Sequence, residues 1–334
     1  MRYRPLGRSG IAVSEIGFGA WGIGGATPGA TSYGRTDDAI SLRALEEALA
    51  RGINFFDTSS VYGYGHSEKL LGRALRNCRD RVVIATKSGL TEYGAPTDFS
   101  PHRIRSTLTE SLRRLETDYV DILQLHNPPP ACIRDAADIV ETIARLKAEG
   151  LIRAFGVSVR EPADGLLALA HLDPDVIQTN FNLLDQRALD CSLLDEADAA
   201  ACAIVARTPL CFGFLSGQVN ERTAFAPDDH RSRWPRSQIV AWANAARDML
   251  AHANPAQTPS QFALQFCLSY SPVTSVIPGM LRREEVVDNA TASGLGALGQ
   301  ATLAALRARY VKLEAMSKPV DPGKIDRIPV AQSA

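Results

Sequence analysis

The chain has 334 residues, 45% of them hydrophobic, and a formal net charge of -1. That length buries a sizeable core, and near-neutrality without a basic block argues against nucleic acid or an anionic membrane surface as the main partner. The six cysteines (Cys78, Cys132, Cys191, Cys202, Cys211, Cys267) show neither CxxC spacing nor a histidine pairing suited to zinc, so no metal is expected and they read as reduced core thiols. MRYRPLGRSG lacks the apolar segment of a secretory signal, and no apolar run is long enough to span a bilayer. A cytoplasmic protein is the expectation.

Residues 2–13 read as a hairpin turning at Gly7-Arg8-Ser9-Gly10, of the kind that plugs the bottom of a barrel. A first strand at 15–19 leads to Trp21 and a Gly-rich loop. Thr36 or Asp37 then caps a helix that runs to Ala50 and stops at Gly52. The next stretch, NFFDTSSVYGYGHSEKLLGRAL from Asn54 to Leu75, organises the rest. Its strand, 53–57, delivers Asp57 at the C-terminal end, and Tyr62 follows in a Gly-punctuated turn. Ser67 reads as the N-cap of a helix over 67–77 that buries Leu70, Leu71, Ala74 and Leu75.

Further strands are predicted at 82–87, 119–126, 154–159, 176–181, 203–207 and 274–278, with helices at 102–116, 134–149, 162–171, 190–201 and 259–270. The Glu110–Arg114 pair on helix 102–116 reads as a solvated face. Eight strands alternating with helices predict an α/β chain folded as a (β/α)8 TIM barrel, with the N-terminal β-hairpin plug and extra C-terminal helices. Those helices are expected at 284–292 and 299–316, the second with Leu303, Leu306, Tyr310 and Leu313 on one face. Residues 211–258, helical near 236–251, exceed an ordinary βα loop, and a lid over cofactor or substrate is expected. One domain over 1–317 is expected, then a tail, 318–334, for which pocket cover and fraying are both open readings.

Lys87 ends VVIATK and His126 ends YVDILQLH, so both join Asp57 and Tyr62 at the C-terminal ends of successive strands. In a closed parallel barrel that end is the catalytic face. Singly, each has an ordinary structural reading as a turn cap, a packing ring, a surface charge or a core histidine. Together they suit one task, giving a proton to an oxygen as hydride arrives at its carbon. Free tyrosine has a pKa of about 10, and the Lys87 ammonium is expected to lower that of Tyr62 by roughly 1–3. Asp57 is expected to pair with Lys87, and His126 to hydrogen-bond the carbonyl oxygen. Trp21 is expected as a wall of the substrate pocket beside Tyr62 and His126. Arg231 and Arg233, in DDHRSRW (Asp228 to Trp234), carry two open readings, anion contact and a solvated loop with charge pairs.

FDTSSVYGYGHSEKLLGRAL, ATKSG, YVDILQLH, GVSV and VIPG, in this order, resemble the aldo-keto reductase superfamily from about residue 2 to 292. The first motif is highly specific, LQLH and GVS are supportive, and the tail carries no family signal. The resemblance implies an NADPH/NADP cofactor, with NADH/NAD as the alternative, and a small-molecule aldehyde, ketone or sugar carbonyl as substrate. It implies Asp57, Tyr62, Lys87 and His126 as a catalytic tetrad, and Ser158 and Gln178 at the nicotinamide carboxamide. Thr208, Pro209, Leu210, Gly213, Leu215 and Gly217 would wrap the pyrophosphate. Gly279, Arg282, Arg283 and Glu285 would meet the adenosine end, with Asn289 at the adenine.

This chain departs from the pattern in places. Val159 stands where many relatives have Asn, Gln218 where Lys is frequent, Leu281 where Arg or Ser often binds the 2′-phosphate, and Glu285 where Gln is common. A carboxylate about 4 Å from that phosphate costs roughly 4 kcal/mol per charge pair at an effective dielectric near 20, unless Arg282 and Arg283 turn inward. The alternative is that Glu285 accepts from a free ribose 2′-OH. An oxidative, NAD-dependent sugar or alcohol dehydrogenase is the runner-up reading. A nicotinamide-binding regulatory subunit, as in the potassium-channel β subunits that resemble this superfamily, is less favoured because those have Asn where His126 stands.

Overall fold

The structure, a computed structural model, describes residues 1–313; the expected tail at 318–334 and the end of the predicted helix 299–316 lie outside the described residues. The hairpin forms from β1 (Tyr3–Pro5) and β2 (Ala12–Ser14), paired antiparallel. Its turn needs Gly7, at φ +52, because a Cβ there would stand 2.6 Å from the Ala201 carbonyl oxygen. Leu6, Ile11 and Val13 pack in one cluster with Phe55, Val83, Ala85 and Ile122, so the hairpin closes one end of the barrel with apolar side chains.

The barrel strands are β3 (Phe18–Gly19), β4 (Phe55–Asp57), β5 (Val83–Ser88), β6 (Val120–His126), β7 (Ile152–Ser158), β8 (Val176–Asn180), β9 (Ala203–Arg207) and β10 (Val273–Ile277). Each pairs in parallel with the next. The ring closes through bridges from Ile16 to Val276 and from Gly19 to Gly279. Inward residues alternate along each strand. Phe55, Val83, Ala85, Ile122, Val176, Ala203 and Val205 belong to the interior cluster, so Asp57, Lys87, Gln124, His126, Gln178 and Arg207, two or four residues further on, face inward at the C-terminal rim. Register puts Lys87 beside Gln124, His126 beside Ser158 and Ser158 beside Gln178.

The helices are α1 (Asp38–Ala50), α2 (His66–Leu75), α3 (Pro101–Leu115), α4 (Pro130–Arg134), α5 (Ala137–Ala148), α6 (Pro162–Leu172), α7 (Arg187–Asp190), α8 (Leu193–Ala199), α9 (Arg236–Leu250), α10 (Pro259–Leu268), α11 (Arg283–Thr291) and α12 (Gln300–Val311). Helix α3 shows why such segments fold. Ser100 caps it by accepting from the Arg103 N–H at 3.3 Å, Pro101 fits its first turn, and Ile104, Leu108 and Leu115 are buried on one face. Each such aliphatic side chain contributes roughly 1.5–3 kcal/mol on leaving water.

Four sequence expectations change. The helix predicted at 134–149 is α4 and α5, broken at Asp135 and Ala136, and that at 190–201 is α7 and α8, broken where Ser192 takes φ +58. Ser67 is not an N-cap: α2 starts at His66 behind Gly65, and the Ser67 hydroxyl is buried, donating to the Ala20 carbonyl at 2.8 Å. Arg114 is not on a solvated face. It turns inward to Glu68 at 2.5 Å, and Glu68 in turn accepts from the Thr86 hydroxyl at 2.6 Å.

Candidate active site

Asp57 and Lys87 meet inside the barrel mouth, both 1% exposed, with Lys87 Nζ 2.5 Å from Asp57 Oδ1. Lys87 also donates to the Thr58 carbonyl at 2.8 Å. The second Asp57 oxygen accepts from Gln178 Nε2 at 2.7 Å and Gln124 Nε2 at 3.0 Å. A buried ion pair persists only when its remaining hydrogen-bonding capacity is met, and these two amides meet it. Burial lowers the Lys87 pKa, while the Asp57 charge opposes that shift.

Tyr62 follows β4 in a turn that depends on Gly63, whose absent side chain would sit 2.1 Å from the Gly24 carbonyl oxygen at φ +58. Lys87 Nζ lies 5.1 Å from the Tyr62 ring centroid, and the His126 ring stands edge-on to it at 6.1 Å. The expected lowering of the Tyr62 pKa by Lys87 is not what the site's electrostatics give. Burial holds the phenol well above its ordinary value, Asp57 adds to that, and Arg207 opposes it. The Lys87 charge is directed at Asp57 instead. Burial, reinforced by Lys87, Arg207 and Arg160, keeps His126 neutral far below the usual histidine range. Its Nδ1 is 3.1 Å from the Ser59 hydroxyl, which leaves Nε2 to the cavity.

The cavity above these groups is lined by Trp21, Tyr33, Tyr93 and Trp242 on its aromatic side and by Asn127, Arg160, Asn180 and Arg207 on its polar side. Of the residues marked by the sequence, Trp21, Asp57, Tyr62, His126, Gln178, Thr208 and Gly279 reach it. Ser158 is buried behind, donating to Gln178 Oε1 at 3.1 Å. Leu215 and Asn289 are also buried, and Gly217 and Arg282 are exposed. After β9 the backbone is left-handed at Thr208, Cys211, Phe212, Gly213 and Gly217, a concentration of unfavourable conformations typical of functional loops. Around Gly279, its own chain neighbours aside, no heavy atom lies within 4 Å of where a Cβ would stand.

At the start of α11, Glu285 Oε2 accepts from the Leu281 N–H at 2.7 Å and the Arg282 N–H at 3.3 Å. Its carboxylate therefore occupies the anion-seeking end of that helix. Arg283 does not turn toward it but pairs with Glu47 on α1 at 2.7 Å. In the long loop, Arg231 forms a charge pair, as one of its two readings had it, but a part-buried one and not a solvated one: it holds Asp229 at 2.6 Å, donates to the Phe212 carbonyl at 2.8 Å and covers the Tyr33 ring. Arg233 is exposed. Beside Arg231, His230 packs between Trp21 at 5.0 Å and Tyr33 at 5.1 Å, fastening the loop to the aromatic wall.

Sequence reasoning missed Gln124, Asn180 and Arg207. Period-two alternation was the available signal, since each is a polar residue at an inward position two before or after a marked one.

The model of the Aldo/keto reductase family matches residues 15–310. An aldo-keto reductase of Bacillus subtilis, YhdN, is 35% identical over 247 residues, 71% of each chain. The NADH-specific methylglyoxal reductase of Escherichia coli is 30% identical over 313 residues, 87% of this chain and 93% of that one. A glycerol dehydrogenase from Gluconobacter oxydans has a solved structure similar at a TM-score of 0.75 and 28% identity, covering 93% of this chain and 95% of that chain. Among the described residues no helix is long and apolar enough to cross a membrane. The closed parallel barrel, the polar cluster at its C-terminal rim and these matches agree: the chain belongs to the aldo/keto reductase family and is an NAD(P)-dependent oxidoreductase.

Proposed function

We propose that Tyr62 is the proton donor of a reversible carbonyl reduction, with Asp57, Lys87 and His126 completing the site and NADH as the preferred cofactor. The observation that carries it is the convergence on one cavity of Tyr62, His126 and Asp57, the last paired with Lys87 behind it. The cavity suits a dinucleotide: it runs from Gln178 past Thr208 to Gly279, between a strained loop and a stretch of backbone with open space before it. Ser158 and Gln178 would hold the carboxamide, and Thr208 to Gly217 the pyrophosphate. A dihydronicotinamide bound there supplies the hydride.

The chain's own groups do the rest. Neutral His126 offers Nε2 to the carbonyl oxygen and orients it toward Tyr62. The phenol, held protonated by its burial, gives its proton to that oxygen as the carbon gains hydride and its electron pair. Arg207, whose charge favours the phenolate, then stabilises it, and Lys87 holds Asp57, whose charge disfavours it. Asn127, Asn180 and Arg160 on the polar side support a small hydroxylated carbonyl compound, and the likeness to a glycerol dehydrogenase supports the reverse reaction on a polyol. NADH preference is supported by Glu285 at the end of α11 and by Arg283 being drawn off to Glu47.

Tyr62→Phe tests the reading. The expected result is unchanged NADH affinity with carbonyl reduction slowed roughly 10²–10⁴-fold, the range for losing a general acid. Full activity in this variant would overturn the assignment.

A further inference from the structure

The guanidinium of Arg207 is set unlike the cations of Arg187 and Lys87. Arg187 is bidentate on Asp185 and bonds Glu161 as well, and Lys87 sits against Asp57. Arg207 instead donates to neutral oxygens, Asn180 Oδ1 at 2.9 Å and Ser158 Oγ at 3.3 Å. Ser158 bonds Gln178, and Gln178 bonds Asp57, so Arg207 ends a chain of contacts running along the rims of β7, β8 and β9. It lines the cavity next to the site assigned above to the nicotinamide carboxamide. Burial, together with the Arg160 charge, pulls its pKa down to about 10, so it stays charged at neutral pH.

We propose that Arg207 is the specificity residue that makes this site discriminate reduced from oxidised nicotinamide, holding a fixed positive charge beside the ring. This rests on the carboxamide assignment to Ser158 and Gln178. A dihydronicotinamide ring is neutral and an oxidised one is cationic, so a fixed guanidinium beside it is repelled by the oxidised form alone. At an effective dielectric near 20, like charges a few ångströms apart are disfavoured by more than a tenfold factor in affinity. The guanidinium also has N–H groups to offer the carboxamide oxygen where Val159 offers none. Tighter binding of the reduced form raises the potential of the bound couple, by about 30 mV for each tenfold in the affinity ratio. The bound equilibrium is thereby drawn toward alcohol oxidation.

The test is fluorescence or calorimetric titration of the full chain with NADH and with NAD, in the wild type, Arg207→Met and Arg207→Lys. The wild type is expected to bind NADH at least tenfold more tightly than NAD. In Arg207→Met that ratio should fall at least fivefold, chiefly through stronger NAD binding, and Arg207→Lys should keep most of it. A merely structural role would weaken both forms and leave the ratio alone. An unchanged ratio in Arg207→Met, with both forms still bound, overturns the proposal and leaves the oxidoreductase reading standing. If Arg207→Met fails to fold, the wild-type ratio and Arg207→Lys decide, and a wild-type ratio near one overturns it. Binding of neither form by the wild type overturns both readings.

Discussion

The barrel mouth and the start of α11 with the long loop are built on different principles. At the mouth, Asp57, Lys87, Gln124, His126 and Gln178 are inward-facing strand residues, each at most 4% exposed and held by strand register. In the second region, Glu285, Arg282 and Arg283 sit at the start of a surface helix, and the loop with His230 and Arg231 reaches the barrel through an aromatic wall. The first region has almost no freedom, because moving one group strands another buried one. The second is set by individual side-chain pairings that a single substitution reverses. Chemistry is therefore expected to be brittle in this molecule, and cofactor choice adjustable.

The sharpest way to break that contrast is at Lys87. Lys87→Met leaves the Asp57 carboxylate buried without its counter-charge, an imbalance that costs about 3–5 kcal/mol. The double variant Asp57→Asn with Lys87→Met is expected to recover most of that stability in chemical denaturation while carbonyl reduction stays lost. Recovery of activity along with stability would show that the pair serves packing alone.

The same contrast explains what the sequence let us read. Asp57, Lys87 and His126 were legible because a polar residue at the C-terminal end of an apolar strand is conspicuous. The strand count and barrel class followed from the alternation of periods two and 3.6. Gln124 is equally inward-facing, but a polar residue within a strand carries no mark of its partner, and Asp57 is 67 residues away; Arg207 closes its strand as His126 does, and only the fold shows that it meets Asn180 and Ser158. Arg114 shows the limit most clearly. Its local pairing with Glu110 is visible in the helix, while Glu68, which holds it at 2.5 Å, depends on how α2 and α3 pack. The direction of Arg283 toward Glu47, 236 residues away, is legible only in the fold. So is the shift in Tyr62, whose burial outweighs the neighbouring ammonium.

A smaller effect is expected where the loop meets the aromatic wall. Burial lowers the His230 pKa to about 4, with Arg231 and Arg233 adding and Asp229 opposing, against about 6.5 in an unfolded chain. The folded state thus keeps this ring neutral while the unfolded state takes up a proton. Stability from this group is complete above pH 6.5 and is lost as pH falls toward 4, by up to about 3 kcal/mol. His230→Phe keeps an aromatic ring between Trp21 and Tyr33 but cannot titrate. The stability difference between wild type and variant should shift by that amount between pH 7 and pH 4, and a pH-independent difference would place the protonation elsewhere.

The smallest effect tests whether the start of α11 is as adjustable as its construction implies. Glu285 accepts two backbone N–H bonds at the start of α11, and its charge stands where a 2′-phosphate would seek the same helix end. Glu285→Gln keeps an oxygen able to accept from Leu281 and Arg282, so the turn is preserved and only the charge is removed. NADPH affinity is expected to rise about tenfold relative to NADH, well short of the full Coulomb penalty, because Glu285 is half-exposed and solvent screens it. Glu47→Gln should add to this by releasing Arg283 from its present partner. An unchanged NADPH-to-NADH ratio in both variants would mean that the adenosine ribose binds away from α11, and that cofactor choice is not set there.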